Sequence, residues 1–182
     1  MEHNIAIIYG STTGNIENAA HQIAELLAPN RVALFDIAVD TIDIEEFDLL
    51  IIGISTWEYG GLQEDWIDYF PRFRQLDFSG KLCALFGQGN QEGYDEWFQD
   101  GLLDLHDAMT VRGARMIGLW PNAGYRFKAS KGLTADGKYF LGLALDDDNQ
   151  PELTTGRIEQ WTVQVLESMS ELDSCAVSDG VI

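Results

Sequence analysis

The chain has 182 residues, of which 46% are hydrophobic and 11% aromatic, enough to build one domain around its own core. Thirty acidic residues against 11 basic ones give a formal net charge of −19, which disfavours nucleic acid and anionic membrane as partners because both need cationic neutralisation. The same charge favours a partner with a basic surface, and no apolar run approaches the ~18 residues of a membrane span.

The amino terminus, Met1-Glu2-His3-Asn4, lacks the basic start and apolar stretch of a signal peptide, so a cytoplasmic protein is expected. Ile5-Ala6-Ile7-Ile8-Tyr9 is short, apolar and without alternation, as in strands buried on both faces of a parallel sheet. Residues 16–27 place Ile16, Ala19, Ala20, Ile23 and Leu27 on one helical face, and Pro29 stops the helix. Residues 31–36 fit a strand nearer an edge, and residues 49–54 a second central strand. Residues 64–73 carry Trp66, Ile67, Tyr69, Phe70 and Phe73 at helical spacing. A further buried strand follows at residues 82–86, where Cys83 reads as a small core hydrophobe. A helix is expected over residues 97–109 and a fifth strand over residues 115–119. A polar excursion of about 20 residues then precedes residues 139–145, which read as a resumption of that strand. Residues 157–169 form the last expected helix. Residues 170–182, with Cys175, read as a polar loose tail after a single domain at residues 1–169. The two cysteines fit neither a disulfide framework nor a metal site. Alternating strands and helices define a doubly wound α/β fold with right-handed crossovers.

Three strand ends carry the chemistry. The first strand runs into Gly10-Ser11-Thr12-Thr13-Gly14-Asn15-Ile16-Glu17, which opens a helix. Free amides at a helix start, hydroxyls and glycines suit a phosphate. No Lys follows Gly14 and no G-x-G-x-x-G is present, so a terminal monophosphate fits better than a nucleoside triphosphate or a dinucleotide. The strand at residues 49–54 ends in Ser55-Thr56-Trp57-Glu58-Tyr59-Gly60-Gly61. The strand at residues 82–86 ends in Gly87-Gln88-Gly89-Asn90-Gln91-Glu92-Gly93-Tyr94. In the proposed fold all three loops emerge at one sheet end, where Trp57 and Tyr94 can sandwich a planar heterocycle. His3, His21 and His106 are scattered and form no catalytic constellation.

These motifs together resemble the flavodoxin family, in its long-chain branch, over residues 3–168. The segment from Gly124-Tyr125-Arg126-Phe127 to Asp146-Asp147-Asp148-Asn149-Gln150 resembles the insertion that splits the fifth strand in that branch. The resemblance implies a five-stranded parallel sheet in the order 2-1-3-4-5 with helices on both faces. It implies non-covalent FMN, with the phosphate held by Ser11, Thr12, Thr13, Gly14 and Asn15, and with Ile16 next to them among the cofactor-binding residues. Further cofactor-binding residues are implied at Ser55, Thr56, Trp57, Glu58, Tyr59, Gly60, Gly87, Gln88, Gly89, Asn90, Tyr94 and Gln99, with the flavin between Trp57 and Tyr94, Tyr94 its near-coplanar stack, and backbone of residues 57–60 and 89–91 at the ring edge. Two positions depart from the family pattern: Ile16 stands where a Thr is common, and Asn90 where an Asp is usual.

The implied role is a low-potential one-electron carrier, not an enzyme, cycling mainly between semiquinone and hydroquinone. The Glu58 carbonyl would accept the N5–H of the semiquinone. Stacked rings and the carboxylates of Glu58, Glu64, Asp65, Glu92, Asp95 and Asp146 to Asp148 would disfavour the anionic hydroquinone. The implied partners are redox proteins with basic docking surfaces, such as ferredoxin-NADP reductase, nitrogenase reductase or a radical-enzyme activase, and the protein is expected to be a monomer. A flavin-dependent NAD(P)H oxidoreductase is the first rival. No basic cluster awaits a nicotinamide cofactor, and rings on both flavin faces would obstruct hydride transfer. A phospho-acceptor receiver domain is the second, and it needs clustered Asp residues where Gly10-Ser11-Thr12 stands.

Overall fold

The computed structural model describes residues 2–179, with side chains for residues 2–172. In chain order the elements are β1 (Asn4–Tyr9), α1 (Asn15–Leu26), β2 (Arg31–Asp36), β3 (Leu49–Trp57), β4 (Gly61–Leu62), α2 (Glu64–Phe73), β5 (Leu82–Gln88), α3 (Gly101–Val111), β6 (Arg115–Met116), β7 (Trp120–Pro121), β8 (Tyr139–Phe140), β9 (Leu143–Leu145) and α4 (Pro151–Asp179).

The main sheet runs β2-β1-β3-β5-β6, and these neighbours are parallel. β9 pairs with β5 further along the same strand, Phe86 opposite Leu143 and Gln88 opposite Leu145. The outermost position is thus one strand in two pieces, and the order is the expected 2-1-3-4-5. The lack of alternation in the central strands follows from burial on both faces. Ile5, Ile7 and Tyr9 of β1 pack with α1 and α4, around Ile23, Trp161 and Val165. Ala6 and Ile8 pack with α2 and α3, around Trp66, Phe73, Leu105 and Met109.

Four boundaries differ from expectation. α3 begins at Gly101, not residue 97, because Gln99 has φ 63°, which no helix accommodates. The fifth strand stops at Met116, since Gly118 turns the chain with φ 78° and its carbonyl accepts the Trp161 indole N–H at 2.7 Å. Tyr139–Phe140 pairs antiparallel with Trp120–Pro121 and so closes the base of the insertion; only Leu143–Leu145 resumes the strand. α4 starts at Pro151, a residue suited to the first helical turn, and continues to Asp179, so residues 170–179 extend a helix where a loose tail was expected. The side chain of Cys175 and residues 180–182 lie outside the described residues.

Candidate functional site: a cavity at the carboxyl ends of the strands

The first turn is built to leave a helix start open. Gly14, at φ 89°, precedes α1, and no side-chain hydrogen bond caps it. The helical ladder begins where Asn18 N–H donates to the Gly14 carbonyl at 2.8 Å, so the amides of residues 15–17 are available to an anion. Ser11 Oγ accepts the Gly14 N–H at 3.1 Å and closes the turn. Thr12 Oγ1 accepts from Gln63 Nε2 at 2.9 Å. Gln63 is fully buried, and its Oε1 also accepts the Trp66 N–H at 3.3 Å. One glutamine therefore fastens the turn after β1 to the start of α2.

Beside this turn lies a cavity of about 370 Å³, within the usual range for a small-molecule site. Thr13 and Asn15 line it from the turn, Ser55, Thr56, Trp57 and Glu58 from the end of β3, and Gln88, Gly89, Asn90 and Tyr94 from the end of β5. Asp147 and Asp148 complete it from the segment after β9. No Lys or Arg is among these residues, so an anionic ligand group there is met by backbone amides and hydroxyls. Tyr94 stays 40% exposed, leaving one aromatic wall at the surface.

The walls are held from behind. Thr56 Oγ1 accepts the Gly101 N–H at 3.0 Å, and β4 folds back on Thr56 and Trp57 as an antiparallel pair. Asn90 Oδ1 accepts the Gly93 N–H at 2.6 Å, shaping the turn that carries Tyr94, while its Nδ2 donates to Asp148 Oδ2 at 3.0 Å. Asp146, fully buried, accepts from Gln91 Nε2 at 2.7 Å and from the Gln91 and Asn149 backbone N–H groups. Gln88 Nε2 donates to Asp147 Oδ2 at 2.7 Å, and Thr154 donates its hydroxyl to the other oxygen of Asp147. Amides and hydroxyls thus satisfy carboxylate oxygens of the acidic run, whose negative charge no ion pair offsets among the described residues.

Ten of the expected contact residues line this cavity; the other eight do not, for differing reasons. Ser11, Thr12 and Gly14 form the turn itself. The Ile16 side chain is fully buried in the core beneath α1, leaving only its backbone amide for a ligand. Gln99 is likewise fully buried: its Nε2 donates to the Leu145 carbonyl at 2.8 Å and the Gly87 carbonyl at 3.3 Å, joining β5 to β9, and Gly87 packs on this glutamine. Tyr59, 73% exposed, lines an adjacent shallow groove with Trp57, Glu64 and Ile67 and meets Trp97 edge-on at 5.1 Å. Gly60 turns the loop at φ 85°. Sequence reasoning counted Asp147 and Asp148 as nearby acids but missed them as wall. Their signal was position: they directly follow the resumed strand, whose carboxyl end must reach the same sheet edge as the other loops.

A doubly wound sheet with an anion-ready helix start and two aromatic loops around one cavity defines a mononucleotide-binding α/β protein. Comparison with known proteins narrows the class. The family model described as Flavodoxin matches residues 7–161. A flavodoxin of Klebsiella pneumoniae is 50% identical over 166 residues, covering 91% of this chain and 94% of that protein. Flavodoxin 1 of Escherichia coli K12 is 49% identical over 164 residues, 90% of this chain and 93% of its own length. The crystal structure of Fusobacterium nucleatum flavodoxin bound to flavin mononucleotide superposes with a TM-score of 0.86 at 28% identity, covering 91% of this chain and 98% of that one. The chain belongs to the flavodoxin family.

Proposed function

We propose that the cavity holds FMN, with the phosphate on the turn of residues 11–16 and the flavin ring between Trp57 and Tyr94, and that the protein carries electrons one at a time between redox enzymes. The observation that carries this reading is the meeting, in one cavity, of an uncapped helix start and the two aromatic loops. As a flavodoxin the chain is an FMN electron carrier, and the cofactor supplies the redox chemistry. The chain's own residues bind, orient and exclude water. Amides and hydroxyls of the turn suit the phosphate, Trp57 and Tyr94 suit the ring faces, and Glu58, Asp147 and Asp148 place negative charge along the wall. That charge disfavours further electrons on the bound flavin and supports a low potential.

The protein is not an enzyme in this reading, and residues 1–169 work as one FMN-binding unit of the long-chain branch, which the split outer strand supports. Its partners bear basic docking surfaces: a reductase such as ferredoxin-NADP reductase as donor, and nitrogenase reductase or a radical-enzyme activase as acceptor. It acts as a cytoplasmic monomer, in keeping with the lack, among the described residues, of any helix long and apolar enough to cross a membrane. The test is titration of the cofactor-free protein with FMN, followed by anaerobic electrochemistry. One equivalent should quench the flavin fluorescence, and two separate one-electron waves should follow. Unquenched FMN overturns the binding reading, and a single two-electron wave overturns the carrier reading.

A further inference from the structure

Asp100 is a buried acid outside the cavity lining. It immediately precedes α3 but does not cap that helix. Its side chain turns to the insertion instead. Oδ1 accepts the Lys131 N–H at 2.7 Å, and the Lys131 ammonium lies 3.7 Å from Oδ2. Asp100 is 3% exposed, and its Oδ2 makes no hydrogen bond. A buried carboxylate oxygen without a donor costs free energy, so its placement calls for a reason. Against its other side lies Gly60. A Cβ on Gly60 would stand 2.8 Å from Asp100 Oδ2, so glycine alone allows this approach. The next residue, Gly101, donates to Thr56 Oγ1. Of two consecutive residues, Gly101 therefore bonds one end of residues 56–60 and Asp100 stands close against the other, and that segment supplies Thr56, Trp57 and Glu58 to the cavity. Within that span Glu58 sits at φ 45°, a conformation its side chain disfavours, so the segment is held in shape by its ends.

We propose that Asp100 is a positioning residue: moored to the insertion through Lys131, its carboxylate braces residues 56–60 against the flavin and thereby sets the separation between the two one-electron potentials. This rests on the FMN reading above. Burial pushes the Asp100 carboxyl above its ordinary range, while the Lys131 amide and ammonium pull it back, in keeping with an acid retained despite its cost.

The test is Asp100→Asn in the FMN-loaded protein. The substitution keeps an acceptor for Lys131 N–H, removes the charge, and turns an amide NH2 toward the Lys131 ammonium where Oδ2 stands, which loosens the mooring. A less well braced wall makes the first electron harder to add, and a lost negative charge makes the second easier, so both effects narrow the separation. We expect unchanged far-UV circular dichroism, one equivalent of FMN bound, and a tenfold change in the equilibrium between the two steps, which is 59 mV for one electron. A separation changed less than twofold in that equilibrium overturns the proposal, as does weaker FMN binding with the separation unmoved. Wild-type protein that fails to bind FMN overturns the FMN reading and this one together. Should the variant not fold, the wild type carries the test by amide NMR of its oxidised and fully reduced forms. The Lys131 amide, which donates to Asp100, should shift with Gly60 on reduction, and a Lys131 resonance that stays fixed while Gly60 moves overturns the proposal.

Discussion

Ile16 and Asn90 are the two residues at which this chain departs from the pattern it resembles, and they play different parts. Ile16 fills the core under α1 with its whole side chain, so Ile16→Thr replaces an ethyl group by a hydroxyl and buries it. The cost should be about 1–2 kcal/mol in urea unfolding, whatever a hydroxyl there offers a phosphate. Asn90 donates to Asp148 while its Oδ1 accepts the Gly93 N–H and Asn149 Nδ2. Asn90→Asp keeps the acceptor, loses the donor, and sets two carboxylates side by side. Stability measured by the same unfolding should fall by about 1 kcal/mol at low salt and recover partly as salt is added. Cys83 is buried in the sheet, and burial pushes its thiol up to about 12, against the pull of Lys81. In a Cys175→Ser background, native protein at pH 8 should not react with a chromogenic disulfide, and unfolded protein should release one equivalent of thiolate.

At the scale of elements, the strands and the three loops were legible because each is local. An apolar run without alternation announces a doubly buried strand, and glycine with hydroxyls or aromatics at its end announces a binding loop. What stayed hidden depends on contacts distant in sequence. Gln63 gives no sign that it reaches Thr12, nor Gln99 that it bridges the Gly87 and Leu145 carbonyls instead of facing a ligand. The premature end of the fifth strand follows from the Gly118 contact with Trp161, 43 residues on. The insertion is likewise held by tertiary packing: Phe98, Tyr125, Phe127 and Phe140 form one aromatic cluster, with centroids 5.1–5.7 Å apart. Where it returns to the sheet, a Cβ on Gly142 would meet the Leu85 carbonyl at 2.2 Å. Gly142→Ala should therefore push β9 off β5 and cost at least about 2 kcal/mol, with loss of hydrogen-exchange protection confined first to residues 143–145.

At the scale of the whole molecule, the net charge of −19 acts on both folding and encounter. Self-repulsion opposes the compact state, so the melting temperature should rise as sodium chloride goes from 10 to about 300 mM, and an unchanged or falling value would argue against it. The rate of electron transfer to a basic reductase should move the opposite way over the same range, because salt screens the attraction that steers the pair together. A sheet that ends in a long, straight strand offers a row of unpaired amides and carbonyls to any neighbour. Here that border consists of two residues in β6 and three in β9, interrupted by the insertion, so no continuous stretch of backbone is presented to a second copy. On that side the fold protects itself against edge-to-edge stacking, a safeguard against aggregation.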